Sequence, residues 1–193
     1  MLIYLKKFFK IIYKIIGIRY SFRSFLLYNK IILSFLTFIN YFRWPKIKLI
    51  FIIWPPAIDL FEDIKKDISK DCKILFSRKF QVENKNFNKF IYNIYSIDNA
   101  SKRKIEGKLN NLKVNSNILG LISVQINNPK MIAQDAFNYV KCEQVSAIKT
   151  RIRNKYKNLI SNYIYDIIIH STEVDYQNQK VKNVVEKFMK SKR

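Results

Sequence analysis

Tyr165 to Asp175 reads YDIIIHSTEVD, and the fold turns on how this stretch is parsed. Ile167, Ile168 and Ile169 form the short β-branched run of a buried strand. After them come the chain's one histidine, His170, and then Ser171, Thr172, Glu173 and Asp175. From Tyr176 to Lys190, apolar residues recur at helical spacing: Val181, Val184, Val185 and Phe188. The stretch predicts a strand, a polar turn at its end and a terminal helix, with His170 at the junction. A side chain at such a junction is held by a rigid element and faces solvent. Imidazole there can take a phosphoryl or acyl group covalently. A lone histidine is more often surface decoration or a satisfied packing residue, so position alone gives it no role.

Upstream, three more apolar runs predict strands. Lys48 to Trp54 is stopped by Pro55-Pro56, residues 74–82 form a second run, and Ile118 to Ile126 is closed by Asn127-Asn128-Pro129. The fourth strand is expected over 164–169. Helical spacing fills the intervals: Asp59 to Ser69, Asn86 to Ile97, Ser101 to Leu112, and one or two helices across Pro129 to Tyr156. From residue 46 the order is β-α-β-α-α-β-α-β-α. Four strands with intervening helices are too few for a doubly wound sheet and suit an α+β sandwich of the split-βαβ kind. The first and fourth strands should then be neighbours.

Residues 1–45 have a different composition. Residues 1–48 carry seven lysines and three arginines with no acidic residue. In MLIYLKKFFKIIYKIIG, Leu2, Leu5, Phe8, Phe9, Ile12, Ile15 and Ile16 share one side and Lys6, Lys7, Lys10 and Lys14 another. That is the pattern of a helix lying in an anionic membrane interface. Lys30 to Phe42 is apolar for about a dozen residues, short of the roughly 20 that a span needs. Tyr41, Arg43 and Trp44 suit a lipid–water boundary. A signal peptide would need a small-residue cleavage site and an uninterrupted apolar middle. A helical hairpin packed on the protein's own core is the structural alternative. The expected division is 1–45, a basic apolar helical extension, and 46–193, the α+β domain, with cytoplasmic, peripheral-membrane placement.

Composition narrows the function. Hydrophobic residues at 49% exclude a disordered chain. A net charge of +22 favours polyanions: nucleic acid, anionic lipid or phosphorylated substrates. Joint richness in Lys, Asn, Ile, Phe and Tyr, all with A/T-rich codons, is a second source of that charge. With three glycines there is no phosphate-cradling P-loop, and GxSxG is absent. Cys72 and Cys142 are isolated, so no zinc site is expected, and a reducing compartment is the simpler assumption. Asp63, Asp67 and Asp71 recur every four residues among lysines, as on a solvated helix face. Lys149, Arg151, Arg153, Lys155 and Lys157 make a basic segment that is either an anion site or another solvated face.

Over residues 47–189 the order and texture resemble nucleoside diphosphate kinases, a family with a ferredoxin-like sandwich. IFIIWPPAIDLFEDI resembles the family's opening strand, lysine-proline turn and helix, residues 118–126 its third strand, and IIIHSTEVD its catalytic strand end. The resemblance implies that His170 accepts a phosphoryl group and that Arg153, with Arg151 and Lys149, holds phosphates. Thr172, Glu173 and Asp175 would support the site, with Glu173 or Asp175 orienting the ring. Mg2+ would accompany a bound nucleotide. This sequence departs from the pattern at Trp54, where the family has lysine, at Ile167, where it has asparagine, and at Ser171, where it has glycine.

The fold expected is therefore α+β, a ferredoxin-like (split βαβ) antiparallel sandwich with an amino-terminal helical, membrane-interfacial extension. The expected function is a phosphotransferase or other transferase working on a nucleotide-linked or phosphorylated substrate at a membrane surface, with surface-glycan biosynthesis as one setting. Two alternatives stand: a basic RNA- or ribosome-binding protein, and a degenerate kinase-fold scaffold. For the enzyme, His170 should be partly exposed, near the turn after Trp54 and near the helix carrying Arg153.

Overall fold

The computed structural model describes residues 46–189, apart from 99, 113–116, 135–138, 162 and 165. The expected extension, residues 1–45, lies outside the described residues.

The sheet is built on β1, Lys46–Ile53. Its sequence KIKLIFII alternates exposed and buried residues at first and is then buried continuously from Leu49 to Ile53. Such a run needs cover on both faces, which only a central strand has. Accordingly β1 is sandwiched between β3, Ile118–Asn127, and β6, Ile169–Ser171, antiparallel to both. Strand β2, Lys73–Gln81, lies on the far side of β3, giving the order β2-β3-β1-β6. Because β1 and β2 are both antiparallel to β3, they are parallel to each other, with β3 inserted between them. That is the split βαβ arrangement. As expected, the first and last strands of this sheet are neighbours.

Pro55 and Pro56 end β1 and start a short 3-10 turn, Pro55–Leu60, where a missing backbone N–H costs nothing. Helix α1, Phe61–Ser69, follows and returns the chain to β2. Helices α2, Asn84–Ile97, and α3, Lys102–Leu112, join β2 to β3. Helix α4, Glu143–Tyr156, packs with α1, and helix α5, Asp175–Met189, packs with α2 and β1.

Three expectations need correction. Pro129 to Tyr156 is not wholly helical: Met131–Gln134 (β4) and Tyr139–Cys142 (β5) form a separate two-stranded hairpin before α4. The fourth strand is β6 at 169–171, later than 164–169, because Asp166 turns the chain with φ 56° and ladder pairing begins only at Ile169. Asp67 is not on a solvated face. It is buried and ties α1 to α4, accepting from Lys70 at 2.7 Å, Lys155 at 2.6 Å and the Tyr156 hydroxyl at 2.7 Å. The lysine contacts hold its carboxyl well below the usual range. Buried carboxylates persist when paired in this way.

Gly120, in β3 opposite Ile53, is packed beneath the Phe61 ring, where an added Cβ would overlap that ring. Gly120→Ala should therefore destabilise the domain by about 1–3 kcal/mol, the usual cost of overpacking. Urea denaturation checks this; an unchanged midpoint would mean that the α1–β3 contact is looser than described.

Candidate functional site

Two backbone facts fix His170. It lies opposite Ile52 in the β1–β6 ladder. Beyond the strand, Thr172 clamps onto Ile50: its N–H donates to the Ile50 carbonyl at 2.9 Å, and its Oγ1 accepts from the Ile50 N–H at 2.8 Å. The histidine is thus inside the paired strand rather than past its end.

The expectation of an exposed imidazole fails, since His170 is 6% exposed. Aromatic cover is the reason. The Tyr95 ring from α2 meets it edge-on at 5.2 Å, and the wholly buried Trp54 ring is 6.1 Å away. Trp54 and Tyr95 also stack on each other at 5.5 Å. The sequence shows apolar spacing in both elements, but nothing local says that the two rings converge on His170.

The polar groups around the ring come from four places. Helix α2 ends at Asp98, whose Oδ2 is 3.6 Å from His170 Nε2, too long for a hydrogen bond. From α3 comes Lys108, buried, with its ammonium 5.1 Å from the centre of the Tyr95 ring. From α4 come Lys149 and Arg153. Lys149 donates to Glu173 Oε1 at 2.7 Å. Arg153 donates to the Ile169 carbonyl at 3.0 Å and pairs with Asp166 at 3.2 Å. The first turn of α5 brings Gln177, which accepts from the Glu173 N–H at 2.7 Å and donates to Asp98 Oδ1 at 3.1 Å.

Electrostatics keep the imidazole uncharged. Burial pushes its basicity well below the ordinary histidine value, and Lys149, Lys108 and Arg153 push the same way. Burial also raises the Asp98 carboxyl to about 7, with the Glu173 charge adding to it and Lys149 and Lys104 opposing. Asp98 and His170 therefore form an acid beside a neutral ring more than an ion pair. Lys108 falls to about 8, chiefly through burial. His170 Nε2, Arg153 Nε and Trp54 Nε1 are buried without hydrogen-bond partners; the Tyr95 hydroxyl comes near the indole N–H without hydrogen-bond geometry. Buried polar atoms are normally satisfied, so three orphans in one neighbourhood call for a cause.

Of the residues expected to form a site, His170, Arg153, Lys149, Glu173 and Thr172 are brought together. Arg151 is not: it pairs with Asp71 at 2.5 Å and donates to the Asp67 carbonyl at 3.1 Å. Residues 149–157 divide between two faces of α4, one toward His170 and the other toward Asp67. Asp175 heads α5, and its side chain is outside the described residues. Asp98, Lys108, Gln177 and Tyr95 were not foreseen; the isolated apolar-face position of Lys108 was the one signal available. Among the described residues no three acidic, histidine or cysteine side chains gather to hold a metal.

The fold and site together define a split-βαβ domain with one neutral histidine walled by aromatics and ringed by cations. Neither a family model nor a curated protein matches this chain. Among solved structures it is similar to the nucleoside diphosphate kinase of Aquifex aeolicus, at 12% identity and TM-score 0.45 over 72% of this chain and 94% of that one. It is also similar to the Borrelia burgdorferi nucleoside-diphosphate kinase with bound vanadate and ADP, at 14% identity and TM-score 0.42 over 77% and 94%.

The depressed basicity of His170 gives a signed prediction. The unfolded chain takes up the histidine proton below about 6.5, while the folded chain takes it up only at lower pH. Wild type should therefore lose stability relative to His170→Gln as pH falls below that value, by up to about 1.4 kcal/mol per pH unit. The raised Asp98 acts in the opposite sense and is common to both proteins. Parallel stability curves from denaturation at pH 5 to 7.5 would show that the ring is not held neutral.

Proposed function

We propose that the domain is a histidine-dependent phosphotransferase for a nucleotide-linked or phosphorylated substrate, with His170 as the transient acceptor. The observation that supports this most is Nε2 itself, buried and unpartnered on a ring that its surroundings keep neutral. Leaving such an atom unsatisfied costs about 1–3 kcal/mol, a penalty expected to persist where a free lone pair is useful.

In this reaction the Nε2 lone pair attacks phosphorus, and the bond to the leaving oxygen breaks with its electron pair staying on that oxygen. A second substrate's oxygen then attacks the phosphohistidine and restores the neutral ring. Lys108, Lys149 and Arg153 stabilise the charge on the phosphoryl oxygens. Thr172 holds the strand in register, and Glu173 positions Lys149. The reading extends to an anionic membrane surface through residues 1–45, whose basic and apolar sides suit an interfacial helix, and a phosphorylated surface-glycan precursor fits both parts. No helix among the described residues is long and apolar enough to cross a membrane. A degenerate, non-catalytic scaffold is the second reading, favoured by the completeness of the aromatic cover over the ring.

Incubation with γ-labelled ATP or GTP should give an acid-labile, base-stable phosphohistidine, absent from His170→Gln. Lys108→Met or Arg153→Ala should slow its formation by about 10²- to 10³-fold, the usual loss for one preorganised charge-stabilising donor. Failure of every nucleoside triphosphate and sugar nucleotide to label the wild type would favour the scaffold. Separately, deleting residues 1–44 should release the protein from anionic vesicles and leave the core folded. A truncated core that is insoluble would make the extension structural.

A further inference from the structure

The groups around the His170 ring differ in exposure. Trp54 and Tyr95 belong to the core, and Gln177 is wholly buried. The Asp98 side chain is 31% exposed, making it the one ring neighbour among these with an open path to solvent. It sits at the end of α2, its N–H donating to the Tyr95 carbonyl at 3.2 Å, so the helix end sets it over the ring.

The seat sets the carboxyl group between one amide donor and nearby cations, while burial and the Glu173 charge push it toward its neutral form. Oδ1 receives the Gln177 amide at 3.1 Å, Lys149 and Lys104 act on the group electrostatically, and Oδ2 faces Nε2 at 3.6 Å. A carboxylate in this seat stands where an anionic oxygen bound next to Nε2 would stand. The Gln177 amide is itself fixed, because its oxygen accepts from the Glu173 N–H at 2.7 Å.

We propose that the Asp98 carboxylate occupies the subsite of a substrate phosphoryl oxygen, and that substrate enters by displacing it and taking over the Gln177 amide. This rests on the phosphotransfer reading for the identity of the ligand. The seat itself can be tested without any transfer. Asp98 then sets specificity: a ligand must displace the carboxyl and present an acceptor oxygen of its own to the Gln177 amide, as a phosphoryl group does. Asp98 thereby adds to the aromatic cover over His170 on the Nε2 side.

The single histidine makes the test clean. On tag-free protein, diethyl pyrocarbonate transfers its ethoxycarbonyl group to unprotonated imidazole nitrogen, releasing ethyl carbonate, which decays to ethanol and carbon dioxide. The absorbance of the product reports His170 alone. At pH 7, Asp98→Ala should raise the modification rate by at least about tenfold, one decade in rate, and inorganic phosphate should suppress the increase. Asp98→Asn keeps the volume and an acceptor for Gln177, so it should remain near wild type. Near-UV circular dichroism confirms that each variant is folded.

The proposal is overturned if Asp98→Ala is no faster than wild type, if it is slower, as for a residue that merely orients the ring, if Asn accelerates as much as Ala, or if phosphate gives no protection. Acceleration and protection in a protein that never forms phosphohistidine would uphold the Asp98 subsite and reject the transfer reaction.

Discussion

The pairing of β6 with β1 is the constraint on which the rest depends. Three ladder partners and the double Thr172–Ile50 contact hold a very short edge strand against the central strand β1. Without that clamp, residues 169–171 have too few ladder bonds to stay in register, and a one-residue slip would send His170 to the other face. The clamp also sets the start of α5 and so delivers Gln177 to Asp98. A backbone register thus determines a side-chain constellation drawn from α2, α3, α4 and α5.

Charge is arranged very differently on the two faces of α4. Toward α1, Asp67 gathers Lys70, Lys155 and Tyr156, while Arg151 pairs with Asp71, so cations and anions are closely matched. Toward His170, Lys149 and Arg153 also have acidic partners, but buried nitrogens remain unpaired and Asp98 is pushed toward neutrality. The first face has what stability requires. The second keeps polar atoms unsatisfied and one carboxyl, Asp98, near neutrality beside a ring held uncharged, and the proposed site rests on that contrast.

Much of this was legible in the sequence. Periodicity placed β1, β2 and β3 to within about two residues, the usual uncertainty of element boundaries, and it found α2, α3 and α5. Chain order alone pointed to the split sheet. The β4–β5 hairpin was missed because its short, mixed runs carry weak alternation. The sequence singles out His170 as the one histidine, but its burial is not legible there: cover by Trp54 and Tyr95 is a long-range packing fact, separated from it by over a hundred and over seventy positions respectively. Arg151 and Arg153 look equivalent in IKTRIRNKY, yet a two-residue step on a helix turns a side chain by about 200°, so only one could face the histidine. Asp98 could be recognised only once α2 was folded onto the sheet, and Lys108 showed in the sequence only as a lysine on an apolar helix face.

The central claim is that the fold keeps His170 neutral and its Nε2 free. Nitrogen-15 NMR of the imidazole tests it most directly, since a chain with one histidine gives one set of ring signals. The account predicts a neutral ring with an unprotonated Nε2 at pH 6.5 and a titration midpoint well below the ordinary histidine value. A midpoint at or above about 6.5, the unperturbed value, or a proton resident on Nε2 in the neutral form, would contradict it.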